Sequence, residues 1–113
     1  MDQATLDHFR AKLEARREEL QSLSAGAKDS RKPVELDQQS VGRLSRQDAL
    51  QQQAMANAQE ARRIGELRRI EAALARIEDG EYGYCAECGE EIAPKRLEID
   101  LTATRCAPCA GKG

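Results

Sequence analysis

A chain of 113 residues is enough for one small domain. Charged residues make up 34% of it, and Phe9, Tyr82 and Tyr84 are its only aromatic residues, which argues against a thick globular core and for a thin apolar seam between long helices. A formal net charge of −2 argues against wholesale coating of a nucleic acid. No apolar run has the length of a secretory signal or a membrane span, so the expected location is cytoplasmic, where thiols stay reduced.

The first helix is expected over about residues 3–25. Leu6, Leu13 and Leu20 fall on one position of a heptad, and Phe9 and Leu23 on the other, with Arg16 as the interruption. Such a stripe packs against one partner helix. His8 stands beside the seam and reads as a surface residue. Periodicity fails after Leu23. Ser24 to Pro33 contains Ser, Gly and Pro and shows no periodicity, and Pro33 disfavours helix at Lys32. A loop over about 26–44 therefore turns the chain back on itself.

A second helix is expected over about 45–79. Ser45 and Asp48 have the spacing of a capping box. From there Leu50, Ala54, Ala58, Ala61, Ile64, Leu67, Ile70, Leu74 and Ile77 recur every three or four residues, and Gly80 is a natural stop. Small residues dominate the first half of this stripe and Ile and Leu the second, so apolar stabilisation is expected to be greatest toward Gly80.

All four cysteines lie in the last third, as Cys85-Ala-Glu-Cys88 and Cys106-Ala-Pro-Cys109 with seventeen residues between the pairs. In a reducing compartment this spacing signals one structural zinc held by four thiolates, with no position left for a catalytic water. Gly89 allows the tight turn that aims backbone amides at the sulfurs. Pro94 is placed to open a short helical turn, and Thr102 to Arg105 is expected to return as strand or extended chain. The fold class is mainly α: an antiparallel helical hairpin (a coiled coil) over 1–80, with a small C-terminal four-cysteine zinc-finger module over 81–113.

Such an architecture offers no pocket-forming sheet, and His8 has no second histidine to pair with, so an enzyme is not expected. Tyr82 and Tyr84 both adjoin the cysteines, leaving no stacking platform for single strands. A monomer that reaches into or along a larger protein is the reading that remains.

Gly80-Glu-Tyr-Gly-Tyr-Cys85-Ala-Glu-Cys88-Gly89-Glu-Glu-Ile, then Lys95-Arg96-Leu97-Glu98 and Thr102-Ala-Thr-Arg-Cys106-Ala-Pro-Cys109, resembles the zinc-finger signature of the DksA/TraR family. The resemblance implies a bacterial transcription regulator that binds RNA polymerase directly, without binding DNA. It implies that the hairpin enters the secondary channel and alters promoter-complex stability, often together with the alarmone ppGpp in the stringent response. The family carries an Asp-x-x-Asp-x-Ala pattern at the hairpin tip, which this chain lacks; Asp37, Ser45, Asp48 and Ala49 are the candidates in its place. A gapless count from Cys85 puts two basic ppGpp-contacting positions of the family on Arg62 and Arg69. Where the family has a basic residue after the last cysteine, this chain has Ala110. The alternatives are a zinc-stabilised helical adaptor for another protein and a nucleic-acid-binding zinc protein acting through its arginine-rich helix.

Overall fold

The computed structural model describes residues 1–28 and 43–111, with side chains from residue 46 onward in the second stretch. Helix α1 spans Gln3–Gly26, α2 Arg43–Glu78, α3 Pro94–Ile99 and α4 Ala107–Ala110. Among the described residues there is no strand, only an isolated antiparallel bridge between Tyr84 and Glu91. Asp2 caps α1: its Oδ1 accepts the Thr5 amide at 2.8 Å, meeting one of the donors a helix start leaves free. The Thr5 side chain and amide together hold the Asp2 carboxyl below its ordinary range. Helix α2 is already formed at Arg43, so Ser45 lies within its first turn rather than at its cap.

The chain groups into two compact units. One joins Met1–Glu18 to Leu67–Gly113; the other is Glu19–Glu66. In the first, α1 and α2 run antiparallel. Arg10 pairs with Glu78 and Arg17 with Glu71, each at 3.2 Å. Phe9 and Leu13 on α1 and Ile70, Ala73 and Ile77 on α2 are buried between them, as a heptad seam requires. Tyr82, Ile92 and Leu97 from the cysteine region are buried in the same unit. The Phe9 and Tyr82 rings sit 6.0 Å apart at a tilted angle, and the Tyr82 hydroxyl donates to the Leu101 carbonyl at 2.7 Å. Glu98 on α3 bonds His8 at 2.7 Å and pairs with Lys12. The cysteine module thus shares one core with the helix ends it joins.

The Glu19–Glu66 unit is built differently. Leu20 is buried and Ser24 half-buried on α1, whereas Leu23 stays half exposed. On α2 the half-buried positions of this unit are Arg46, Ala49, Gln53, Ala56, Glu60, Arg63, Gly65 and Glu66. The stripe expected from sequence, Leu50, Ala54, Ala58, Ala61 and Ile64, is exposed. The reason is geometric. At 3.6 residues per turn, each three-residue step falls behind the helix by about 60°. The run Ala58, Ala61, Ile64, Leu67, Ile70 therefore winds around α2 instead of following one side. The face set by a 3.5-residue repeat runs back from Ile77 and Leu74 through Ile70, Leu67, Arg63, Glu60, Ala56 and Gln53. Its members in this unit are mostly polar. Glu60 accepts from Ser24 Oγ at 2.8 Å and pairs with Arg63 at 3.2 Å.

Candidate metal centre

The approach to the first cysteine pair is fixed by backbone hydrogen bonds. Gly80, at φ +75°, ends α2 in the left-handed region that glycine enters without strain. The Glu81 and Tyr82 amides then fold back onto the Arg76 carbonyl. The Arg76 guanidinium donates to the carbonyls of Glu81 at 3.1 Å and Tyr84 at 2.8 Å, pinning the segment that leads to Cys85. Past the pair, Gly89 at φ +77° reverses the chain. The Cys85 amide meets the Glu90 carbonyl at 2.8 Å, and the Ile92 amide meets the Gly83 carbonyl at 2.7 Å.

The second pair is carried by α4. Cys106 is its N-cap residue in an extended conformation, and Pro108 sits in its first turn, where a missing amide proton costs nothing. Of the strand or extended chain expected over Thr102 to Arg105, no strand forms: Thr102 closes a turn, its amide and hydroxyl both donating to Asp100 Oδ1, a local bond that competes with strand pairing. The Ala86 amide donates to the Thr104 carbonyl at 2.7 Å, so backbone ties one pair to the other. Pro94 opens α3, as its position in the sequence suggests.

The sulfurs of Cys85, Cys88, Cys106 and Cys109 all lie within 4.8 Å of one another, and Cys88 and Cys106 are 3.6 Å apart. A tetrahedral zinc with bonds near 2.3 Å needs sulfurs about 3.8 Å apart, so the four residues fit the ion. Cys85, Cys106 and Cys109 are buried and Cys88 is exposed. The backbone amides of Cys106, then Cys88, pull the Cys85 thiol down to about 6. The thiols of Cys106, Cys85 and Cys88 push Cys109 up to about 12. Donors aimed at the sulfurs favour thiolate, and crowding opposes a full set of thiolates without a cation. A dication resolves that conflict.

Asp48, Arg62 and Arg69 are exposed on α2 and Ala49 is half-buried there; Ser45 has helical backbone. Asp37 falls outside the described residues. Sequence reasoning passed over Arg76, Glu87 and Arg105. The last two are charged residues inside or next to a cysteine pair, and that adjacency was the available signal.

Four clustered thiols under a pair of antiparallel helices, with no strand among the described residues, define a zinc-finger helical-hairpin protein. The family model for the prokaryotic dksA/traR C4-type zinc finger matches residues 80–112. The RNA polymerase-binding transcription factor DksA of Escherichia coli K12 is 31% identical over 110 residues, covering 96% of this chain and 71% of that protein. DksA of Caulobacter vibrioides is 58% identical over 36 residues, covering 32% of this chain and 25% of that protein. The solved structure of transcription factor DksA2 from Pseudomonas aeruginosa superposes with a TM-score of 0.83 at 30% identity, covering 99% of this chain and 84% of that one. The chain belongs to the DksA/TraR family, and its cofactor is one structural zinc.

Proposed function

We propose that this protein is a bacterial transcription regulator that binds RNA polymerase directly and has no enzymatic activity of its own. The observation that carries this reading is the match to a polymerase-binding factor along 96% of the chain. The fold agreement with a second transcription factor over 99% of the chain supports it. The segment joining α1 to α2, with the first turns of α2, enters the secondary channel, and acidic groups there act near the catalytic metal, where a cation favours them. Asp37 and Asp48 are the acidic residues assigned to that task, with Ser45 and Ala49 beside them. Arg62 and Arg69 contact ppGpp or the polymerase rim; both are exposed, and a guanidinium suits a phosphate. The protein acts as a cytoplasmic monomer without sequence-specific contact to DNA.

Transcription in vitro from a ribosomal promoter, with and without ppGpp, tests this. The wild type changes promoter-complex lifetime and competes with other channel-binding factors for core polymerase. Asp37→Asn, Asp48→Asn and Ala49→Thr lose the effect while keeping polymerase affinity if they belong to the acting segment. Absence of competition would sink the channel reading and favour an adaptor role. Binding to DNA alone with a steep salt slope would favour a nucleic-acid binder.

A further inference from the structure

We propose that Arg105 and Glu87 form a clasp across the two cysteine pairs that sets how fast zinc leaves the centre. Arg105 directly precedes Cys106, and Glu87 lies between Cys85 and Cys88. The Arg105 Nη2 atom is 2.9 Å from Glu87 Oε1 and donates to the Cys109 carbonyl at 3.1 Å. One guanidinium therefore joins the loop of the first pair to the last ligand of the second. Its own backbone is fixed from outside, since Arg96 Nε on α3 donates to the Arg105 carbonyl at 2.9 Å. The Arg105 Nε atom is buried without a hydrogen-bond partner among the described residues. Burying that group has a cost.

The two members act differently on the metal. Four thiolates around a dication carry a formal charge of about −2, which a nearby guanidinium stabilises. Glu87 adds negative charge to the same neighbourhood, so its charge alone works against retention. Its contribution is to hold the Arg105 Nη2 group at the Cys109 carbonyl, a directional role suited to a planar guanidinium. Clasp and bulk charge therefore predict opposite signs for the loss of Glu87.

The test is zinc transfer from the full-length, zinc-loaded protein to excess 4-(2-pyridylazo)resorcinol, followed by dye absorbance. Glu87→Gln releases zinc about two- to fivefold faster, the range of an exposed ion pair. Arg105→Leu releases it about tenfold faster, at the lower end for groups that support metal ligands. The double variant is no faster than Arg105→Leu, because both changes break one link. Arg105→Lys stays faster than wild type, since it keeps the charge and loses the planar, directional guanidinium. Added salt speeds release from the wild type and leaves Arg105→Leu unchanged. Unchanged or slower release from Glu87→Gln, or multiplying effects in the double variant, would overturn the clasp. If Arg105→Leu does not fold with zinc, as read by helical circular dichroism, Glu87→Gln decides alone.

Discussion

Glu60 Oε2 lies 3.2 Å from Arg63 Nη2 with both side chains about five-sixths covered, at 14% and 16% exposure, on the face of α2 that pairs with Ser24 of α1. In the Glu19–Glu66 unit the hydroxyl of Ser24 on α1 thus reaches across to a carboxylate that is itself paired along α2. In the other unit the same heptad positions hold Ile70, Leu74 and Ile77. Polar seams give register at the expense of stability.

Removing one partner of this pair leaves the other poorly solvated. Glu60→Ala is expected to destabilise the helix pair by about 1–2 kcal/mol, less than for a fully buried pair. The double change Glu60→Leu and Arg63→Leu is expected to be neutral or stabilising by about 1 kcal/mol. Urea titrations of both variants, read by circular dichroism, measure the difference, and equal losses in the two would contradict a polar seam of low net value.

Zinc removal should be felt in the unit that contains the cysteines. Structural zinc binding supplies on the order of 10–16 kcal/mol in finger peptides, and here the module shares Phe9, Tyr82 and Leu97 with the helix ends. Chelation is expected to lower the melting temperature and to erase the near-ultraviolet signal of the buried Tyr82. Phe9→Ala, which opens the same core from the α1 side, is expected to cost about 3–5 kcal/mol with zinc still bound. Metal content and melting curves on one sample separate the two effects.

Acid should loosen the link between α3 and α1. Lys12, then His8, hold the Glu98 carboxyl below its ordinary range. A depressed carboxylate contributes stability that is full above its unfolded pKa of about 4.3 and lost as pH falls through the lower folded value. Glu98→Gln is expected to flatten the stability profile in that acidic window and to leave the neutral region less stable than wild type. If the profile of the Glu98→Gln variant still tracks the wild type, the link is inert.

Alkali acts through Tyr82. Burial, with Asp100 and Glu98 nearby, pushes its hydroxyl up to about 12. A raised folded pKa gives stability that is complete below a pH of about 10 and lost as pH rises toward the folded value. Tyr82→Phe removes this alkaline dependence, and it deletes the bond to the Leu101 carbonyl at a cost of about 1 kcal/mol. Absorbance titration of the phenolate band should show the late-ionising tyrosine vanish in that variant.

Local chemistry was readable before any coordinates. The C-x2-C pairs, Gly80, Gly89 and Pro94 each signal a backbone requirement satisfied within a few residues, and the structure meets each of them. Leu13, Leu20 and Phe9 marked the α1 seam for the same reason. The α2 seam misled because Ala is apolar yet buries little wherever it points. The run from Leu50 to Ile64 looked as good as the true face, and only the partner helix could choose between them. Arg105 and Glu87 stand beside cysteines in the sequence, but their contact with each other was not legible there, since the two side chains meet only when the module closes.

The sequence alone determined two helices, a four-thiolate zinc module and membership of a family, because propensity, heptad spacing and ligand spacing are properties of short stretches. Tertiary structure decided which face of α2 is the seam and how Tyr82, against Phe9, and Glu98, against His8, join the module to α1. It also decided that Arg105 and Glu87 bridge the two cysteine pairs. Those outcomes depend on distances between segments remote in the chain, and a 3.5-residue repeat fixes such distances only after a second helix supplies its surface.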